Sequence, residues 1–200
     1  MMDETIQRRV IAEGKYVRLV ARGRWEWAER TNTSGAVVIV AVTTDGQMVL
    51  IEEYRHPLGA WVVELPAGLV GDEPGASEED MIEAGRRELL EETGYVSDRW
   101  QHLVTGPSSP GLTSEHYSMY LALNAKKVGD GGGDDSEQIH VRLAPLDQAE
   151  ALLDAKRREG LQVDPKVYIG LYFAAKAGIS ETNIVPTPEH GNEISLTPRP

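Results

Sequence analysis

Residues 36–43 read Ala-Val-Val-Ile-Val-Ala-Val-Thr, with no polar residue before the terminal Thr43. A strand with one wet face alternates polar and apolar side chains. This run does not alternate, so it has to be covered on both sides. Such a strand demands a layered fold with helices or a second sheet on each face. The Asp45-Gly46 pair after it is a hairpin signal, leading into a partner strand at 47–54. Residues 61–68 read as one short strand stopped by Pro66, 116–125 as an alternating strand and 139–146 as the last strand. Helical patterns occupy 76–93, closed by Gly94, then 146–158, then 165–177 with Pro165 in the first turn. Strands first, one helix among them and helices last predict an α+β domain. That domain spans 36–179. Residues 1–35 are polar and locally basic, with short alternating runs around Gly14 and Gly23. They predict an N-terminal β arm, which is too thin to hold a core and has to pack on the domain or on a second subunit. Residues 129–135 read as a flexible acidic Gly-rich loop, and 180–200 as a polar, Pro-rich tail.

Composition narrows the function. The 200 residues carry 32 acids against 20 Lys and Arg, a formal net charge of −12. That balance argues against nucleic-acid and anionic-membrane partners. The absence of Cys excludes disulfides, Cys-ligated metal and a thiol nucleophile. No secretory signal is visible, and no apolar run approaches the roughly 20 residues that cross a bilayer. The expectation is a cytoplasmic protein.

The strongest chemical signal is Arg86-Arg87-Glu88-Leu89-Leu90-Glu91-Glu92-Thr93-Gly94-Tyr95. At about 100° per residue, Glu88, Glu91 and Glu92 fall at about 0°, −60° and +40°, on one helix face. Like charges at these spacings weaken a helix, and the C-terminal end of the dipole disfavours anions. Carboxylates gathered despite both costs suit a hard divalent cation such as Mg²⁺.

This segment resembles the Nudix hydrolase box, G-x5-E-x7-R-E-U-x-E-E-x-G-U, in which U is a bulky apolar residue. Arg87 to Tyr95 fit its second half throughout, and Glu79 stands where the pattern has its first Glu. The first Gly does not fit, since Gly68 leaves the loop five residues longer than the pattern allows. Glu78 or Asp80 is therefore an alternative to Glu79. The resemblance implies a Nudix α/β/α sandwich around a mixed β-sheet. It implies Glu88 and Glu92 as Mg²⁺ ligands (Mn²⁺ as a substitute), Glu91 as a direct or water-mediated ligand, and Arg87 orienting the carboxylates.

Glu53-Tyr54-Arg55 and Glu64-Leu65-Pro66-Ala67-Gly68 are similar to segments of the ADP-ribose and ADP-sugar pyrophosphatases within that family. The resemblance implies a metal-binding carbonyl at Ala67 and a substrate-phosphate contact at Arg55. Ser109-Pro110-Gly111 with Glu115 resembles a further segment of the group and puts Glu115 near the sugar. The late acidic loop implies a general base or extra ligand at Glu137, with Asp135 as the alternative. Arg24 to Arg30 resembles the arm of the same group. There Trp25 would stack on the base, Arg30 would bind phosphate, and Tyr16 would be a second stacking ring. The group exchanges its arms between subunits, which implies a homodimer. The implied substrate is a nucleoside diphosphate sugar.

Overall fold

A computed structural model of the chain describes residues 7–33, 35–71, 80–133 and 137–177. Glu78, Glu79, Asp135 and the tail at 180–200 lie outside the described residues. Among the described residues, twelve strands and three helices follow one another. They are β1 (Arg9–Glu13), β2 (Val17–Arg22), β3 (Trp25–Arg30), β4 (Gly35–Thr43), β5 (Gln47–Arg55), β6 (Ala60–Glu64), β7 (Ala67–Val70), α1 (Met81–Thr93), β8 (Tyr95–Val96), β9 (Arg99–Pro107), β10 (His116–Lys127), β11 (Ile139–Pro145), α2 (Ala149–Arg158), β12 (Gln162–Val163) and α3 (Pro165–Lys176).

β4 is the axis of a nine-stranded mixed sheet. It runs parallel to β10 along one edge, from Tyr117 opposite Ala36 to Ala125 opposite Thr43. Its apolar run divides by parity. Val38, Val40 and Val42 enter a core with Met48, Leu50, Met119, Leu121, Leu153 and Val167, under α2 and α3. Val37, Ile39 and Ala41 enter a second core with Val49, Ala84, Leu89 and Ala122, under α1. The strand is thus covered on both faces, and the domain is the α/β/α sandwich that its sequence demands.

The other edge of β4 is shared. Next to the hairpin, Val42 pairs with Met48 of β5. Further back, residues 35–38 pair with β7 instead, Val38 opposite Ala67 and Ala36 opposite Leu69. β5 meanwhile pairs with β6, Glu53 opposite Val62 and Ile51 opposite Glu64. The hairpin strands splay, and residues 60–70 fill the fork between them. The single strand expected over 61–68 is therefore two. Pro66, which has no N–H to donate, stands at the switch, and its carbonyl accepts from Ile39 N at 2.8 Å.

Other boundaries also moved. Helix α1 as described begins at Met81, where Asp80 has an extended backbone and its side chain accepts from Ile82 N; residues 76–79 of the expected span lie outside the described residues. α2 begins at Ala149 rather than residue 146. Strands β8, β9 and β12 had no sequence expectation.

β1, β2 and β3 form a separate three-stranded sheet, the expected arm. Glu29 is its internal clamp, accepting from Trp27 Nε1 at 2.9 Å and Arg18 Nε at 3.0 Å, and from Arg8. Pairing with Arg8 first, then Trp27 and Arg18, holds its carboxyl down to about 2 against the opposing effect of burial. The arm docks on its own chain: Ala28 N donates to Leu112 O at 2.8 Å, and Ser114 N to Ala28 O at 3.2 Å.

Candidate active site

The fork between β4 and β5 opens under the C-terminal half of α1. Gly94 ends that helix in the left-handed region (φ 72°), a conformation that costs a residue with a side chain. Its N–H donates to Leu90 O at 2.8 Å. The Gly-rich loop then folds back onto the helix end. Gly132 N donates to Glu92 O at 2.8 Å and Gly133 N to Glu91 O at 3.0 Å, while Val128 and Gly129 donate to Gly94 O. The described part of this loop is therefore a cap on the helix end, where its composition predicted a flexible acidic loop. It occupies helix-terminal carbonyls that would otherwise lack donors and face the carboxylates.

The three helix carboxylates do not share one environment. Glu92 is buried at 2% exposure, and its Oε2 accepts from Ala67 N at 3.1 Å. Burial first, then the neighbouring Glu88, push its carboxyl well above the usual range, with the Ala67 N–H opposing. Glu88 is partly buried and accepts from Arg87 Nη1 at 2.8 Å. It lies so close to β7 that a Cβ on Gly68 would be 1.9 Å from its Cδ. Gly68 is what admits this carboxylate to the strand. Glu91 points outward at 55% side-chain exposure, 3.4 Å from Arg87. Arg87 also donates to Leu69 O at 3.2 Å, so it ties helix and strand together as well as orienting Glu88. Asp80 is engaged in capping α1.

Arg55 reaches the same fork from β5. Its Nε donates to Glu64 Oε2 and its Nη1 to Glu53 Oε1, each at 2.8 Å. Glu53 and Glu64 had been given no role from sequence. Their signal was the two-residue spacing of Glu53 and Arg55, which puts both on one strand face. Burial, then Glu64 and Glu137, push the Glu53 carboxyl up to about 7, against the pull of Arg55. Glu137 is exposed and raises both Glu53 and Glu92, which places its charge beside them.

The remaining candidates form other groups. Arg30 and Glu115 pair with each other in a polar cleft of about 260 Å³ lined also by Arg18, Glu29, Thr33 and His116. Burial pushes the Glu115 carboxyl up, but Arg30, with Ser108 and Lys166, brings it below its usual value. Tyr16 and Trp25 are 55% and 63% exposed. Their ring contacts among the described residues are to Lys15 and Arg24 of the arm itself.

The donor set suits a divalent metal ion. It consists of carboxylates, hard oxygen ligands, with too few cationic neighbours to balance them, and one buried oxygen, Glu53 Oε2, lacks any partner among the described residues. No three of the described carboxylate or imidazole side chains already converge on a point that an ion would fill.

A NUDIX domain model matches residues 32–164. The methanol dehydrogenase activator of Bacillus methanolicus is 33% identical over 162 residues, 78% of this chain and 85% of that protein. The ADP-ribose pyrophosphatase of Bacillus subtilis (strain 168) is 28% identical over 163 residues, 77% and 84% of the two chains. A solved structure titled as an ADP compounds hydrolase superposes with a TM-score of 0.64 at 21% identity, covering 90% of this chain and 95% of that one; it bears on the fold alone. The chain belongs to the Nudix hydrolase family. Enzymes of that family work with divalent metal ions. None of the described helices is long and apolar enough to cross a membrane.

Proposed function

We propose that this chain hydrolyses the diphosphate linkage of ADP-ribose or a related nucleoside diphosphate sugar, releasing a nucleoside monophosphate and a sugar phosphate. The observation that carries the reading is the pair Glu88 and Glu92, one admitted to β7 by Gly68 and the other held by the Ala67 amide. The pyrophosphatase relative supplies the substrate class. Glu88, Glu92 and the Ala67 carbonyl would hold Mg²⁺, for which Mn²⁺ could substitute, and Glu91 would contribute directly or through water. The ion would supply charge neutralisation at the diphosphate and polarisation of phosphorus. Arg87 keeps Glu88 aimed at the fork. Arg55 turns the Nε and Nη2 edge of its guanidinium from Glu64 to the diphosphate, whose oxygens it can engage bidentately, while Nη1 stays on Glu53. Glu137, or Asp135 in its place, takes a proton from the attacking water as the new P–O bond forms and the bond to the leaving phosphate breaks. Trp25 and Tyr16 offer rings for the base. Arg30 binds phosphate, and Glu115 holds Arg30 in place rather than contacting the sugar first.

The enzyme works as a homodimer that exchanges the arm of residues 1–35 across domains spanning 36–179, so that the Ala28 contacts made here within one chain are made to the second copy. The arm exposes Val10, Ile11, Val17 and Leu19, an apolar surface that a second copy can cover. The test is a Mg²⁺-dependent product screen over ADP-ribose, other ADP-sugars, UDP-glucose, GDP-mannose and diadenosine polyphosphates, with Glu92→Gln as control. ADP-sugars as the best substrates support the reading. A clear preference for GDP-mannose or a dinucleoside polyphosphate rejects it, as does Glu92→Gln turning over like the parent.

A further inference from the structure

Glu53 lies on the α1 side of β5 and is 7% exposed. Its cross-strand neighbours, Val62 on β6 and Ile139 on β11, carry no donor. Its Oε1 accepts from Arg55 Nη1 at 2.8 Å. Its Oε2 is the one buried side-chain oxygen or nitrogen among the described residues with no hydrogen-bond partner. Leaving a buried carboxylate oxygen unpaired is expensive, and more so for a charged group than a neutral one. Arg55 cannot remedy it, because its Nε and Nη2 are both turned to Glu64.

The surroundings state what is missing. Among the described residues, five carboxylates, those of Glu53, Glu64, Glu88, Glu92 and Glu137, gather about the fork, with Arg55 paired to Glu53 and Glu64 and Arg87 to Glu88. Glu53 feels Glu64 and Glu137, and Glu92 feels Glu53. A further hydrogen-bond donor would satisfy the orphan oxygen but would leave most of the excess charge. A divalent cation does both.

We propose that Glu53 is an additional oxygen ligand, through its unpaired Oε2, for the divalent cation that Glu92 helps to hold. It does so while Oε1 tethers Arg55, so one carboxyl group couples the cation to the guanidinium that faces the substrate phosphates. This assignment rests on the hydrolytic reading for its cation and adds a residue outside the helix motif.

A tether alone needs only one acceptor oxygen, and glutamine supplies one. Glu53→Gln therefore separates the two roles. The measurement is Mn²⁺ binding to the metal-free full chain, by titration calorimetry and by electron paramagnetic resonance of free Mn²⁺, for the parent, Glu53→Gln and Glu92→Gln. Thermal denaturation with and without Mn²⁺ accompanies it. We expect Glu53→Gln to weaken Mn²⁺ binding about tenfold or more, with a metal-free melting temperature equal to or above that of the parent. An isotherm that superimposes on the parent's, while that of Glu92→Gln is weakened, overturns the assignment and leaves the hydrolytic reading intact. A parent that binds no Mn²⁺ overturns both. Weakened binding in Glu53→Gln, from a parent that cleaves none of the nucleotides screened, supports the ligand and rejects the reading. Should Glu53→Gln fail to fold, Glu53→Asp keeps the charge but withdraws the oxygens by one methylene. A several-fold weaker Kd then supports the ligand, and an unchanged Kd overturns it.

Discussion

Replacing Gly68 with Ala tests whether the close approach of Glu88 to β7 serves function rather than packing. The new methyl carbon would stand 1.9 Å from Glu88 Cδ, 2.0 Å from its Oε1 and 2.2 Å from its Cγ, where ordinary contact begins at 3.4 Å. The carboxylate must therefore retreat by about 1.5 Å. The backbone has no comparable reason to move, since Gly68 is not among the residues with positive φ. Retreat forfeits the 2.8 Å bond to Arg87, in an ion pair whose Arg is 23% exposed, which is worth at most about 1 kcal/mol. Removing a glycine returns about 0.4–1 kcal/mol through the unfolded chain. The two nearly cancel, so the melting temperature should stay within a few degrees. Hydrolysis should not survive as well, because a displacement of this size at a reacting centre costs on the order of 100-fold. The assay is kcat/KM on the best substrate across a Mg²⁺ titration, with calorimetric melting on the same preparation. In a Glu88→Ala background the substitution should add nothing, because the atoms it strikes are gone. A folded Gly68→Ala protein with kcat/KM and Mg²⁺ dependence within about threefold of the parent would refute the reasoning. So would a large fall in melting temperature, which would mean that β7 yields rather than the carboxylate.

The pH dependence of metal-free stability follows from the raised carboxyls. Folded Glu53 and Glu92 hold protons more tightly than the unfolded chain does. Unfolding free energy in chelator should therefore fall as pH rises from about 4.3, the unfolded value, toward the Glu53 value of about 7. Mg²⁺ should restore it at pH 8, and equal denaturant midpoints at pH 5 and pH 8 in chelator would contradict this. Glu52 sits on the opposite face, bonded to Arg142 at 2.9 and 3.0 Å and to Lys156 at 3.0 Å. Glu52→Gln should cost roughly 1–2 kcal/mol in denaturant titration, since both partners can relax to solvent, and leave kcat unchanged; an altered kcat would show that this face feeds the site. Trp25→Ala should raise KM for an adenine nucleotide about tenfold but leave the melting temperature alone, as expected for a ring 63% exposed; an equal rise for a sugar diphosphate lacking the base would remove the stacking role. Sedimentation at micromolar concentration should give a dimer, and a fully active monomer would dispose of the exchanged arm.

How much of this was legible in the sequence depended on the range of the interaction concerned. The two-faced burial of β4 is written in its own residues, and so is the Gly94 end of α1, whereas its Asp80 cap was not read. Arg99–Pro107 gave no signal because it is an edge strand, paired only with β10 and half wet, with Gly and Pro at its end. The break at Pro66 was visible, but its consequence was not: one segment serves two ladders because its neighbours splay. Within the site, the helix carboxylates were readable from a local period. Glu53 and Glu64 acquire meaning only through the register of β5 against β6, and Arg55 through the side chains that register delivers to it. The face shared by three glutamates on a helical wheel also divided, because β7 covers Glu92 and Glu88 and leaves Glu91 outside.

The acidity that dominates the composition has a structural counterpart in the glycines. Anions near a helix C-terminus oppose the dipole and one another, so a sequence rich in them there needs compensation. No basic residue occupies the last turn of α1 to provide it. The compensation comes instead from backbone N–H groups of residues 128–133, directed at the carbonyls of Glu91, Glu92 and Gly94. Only a backbone stripped of side chains can come so close. A Cβ at Gly131 would be 2.4 Å from the Thr93 carbonyl carbon, and Gly131 and Gly133 have φ of 71° and 75°. The same approach brings Glu137 within reach of the site, since a Cβ on Gly133 would be 2.1 Å from its Oε2. Capping the acidic helix and delivering the late carboxylate are therefore one structural act. A side chain forced into residues 131–133 should damage both together, even though it touches neither Glu88 nor Glu92 directly.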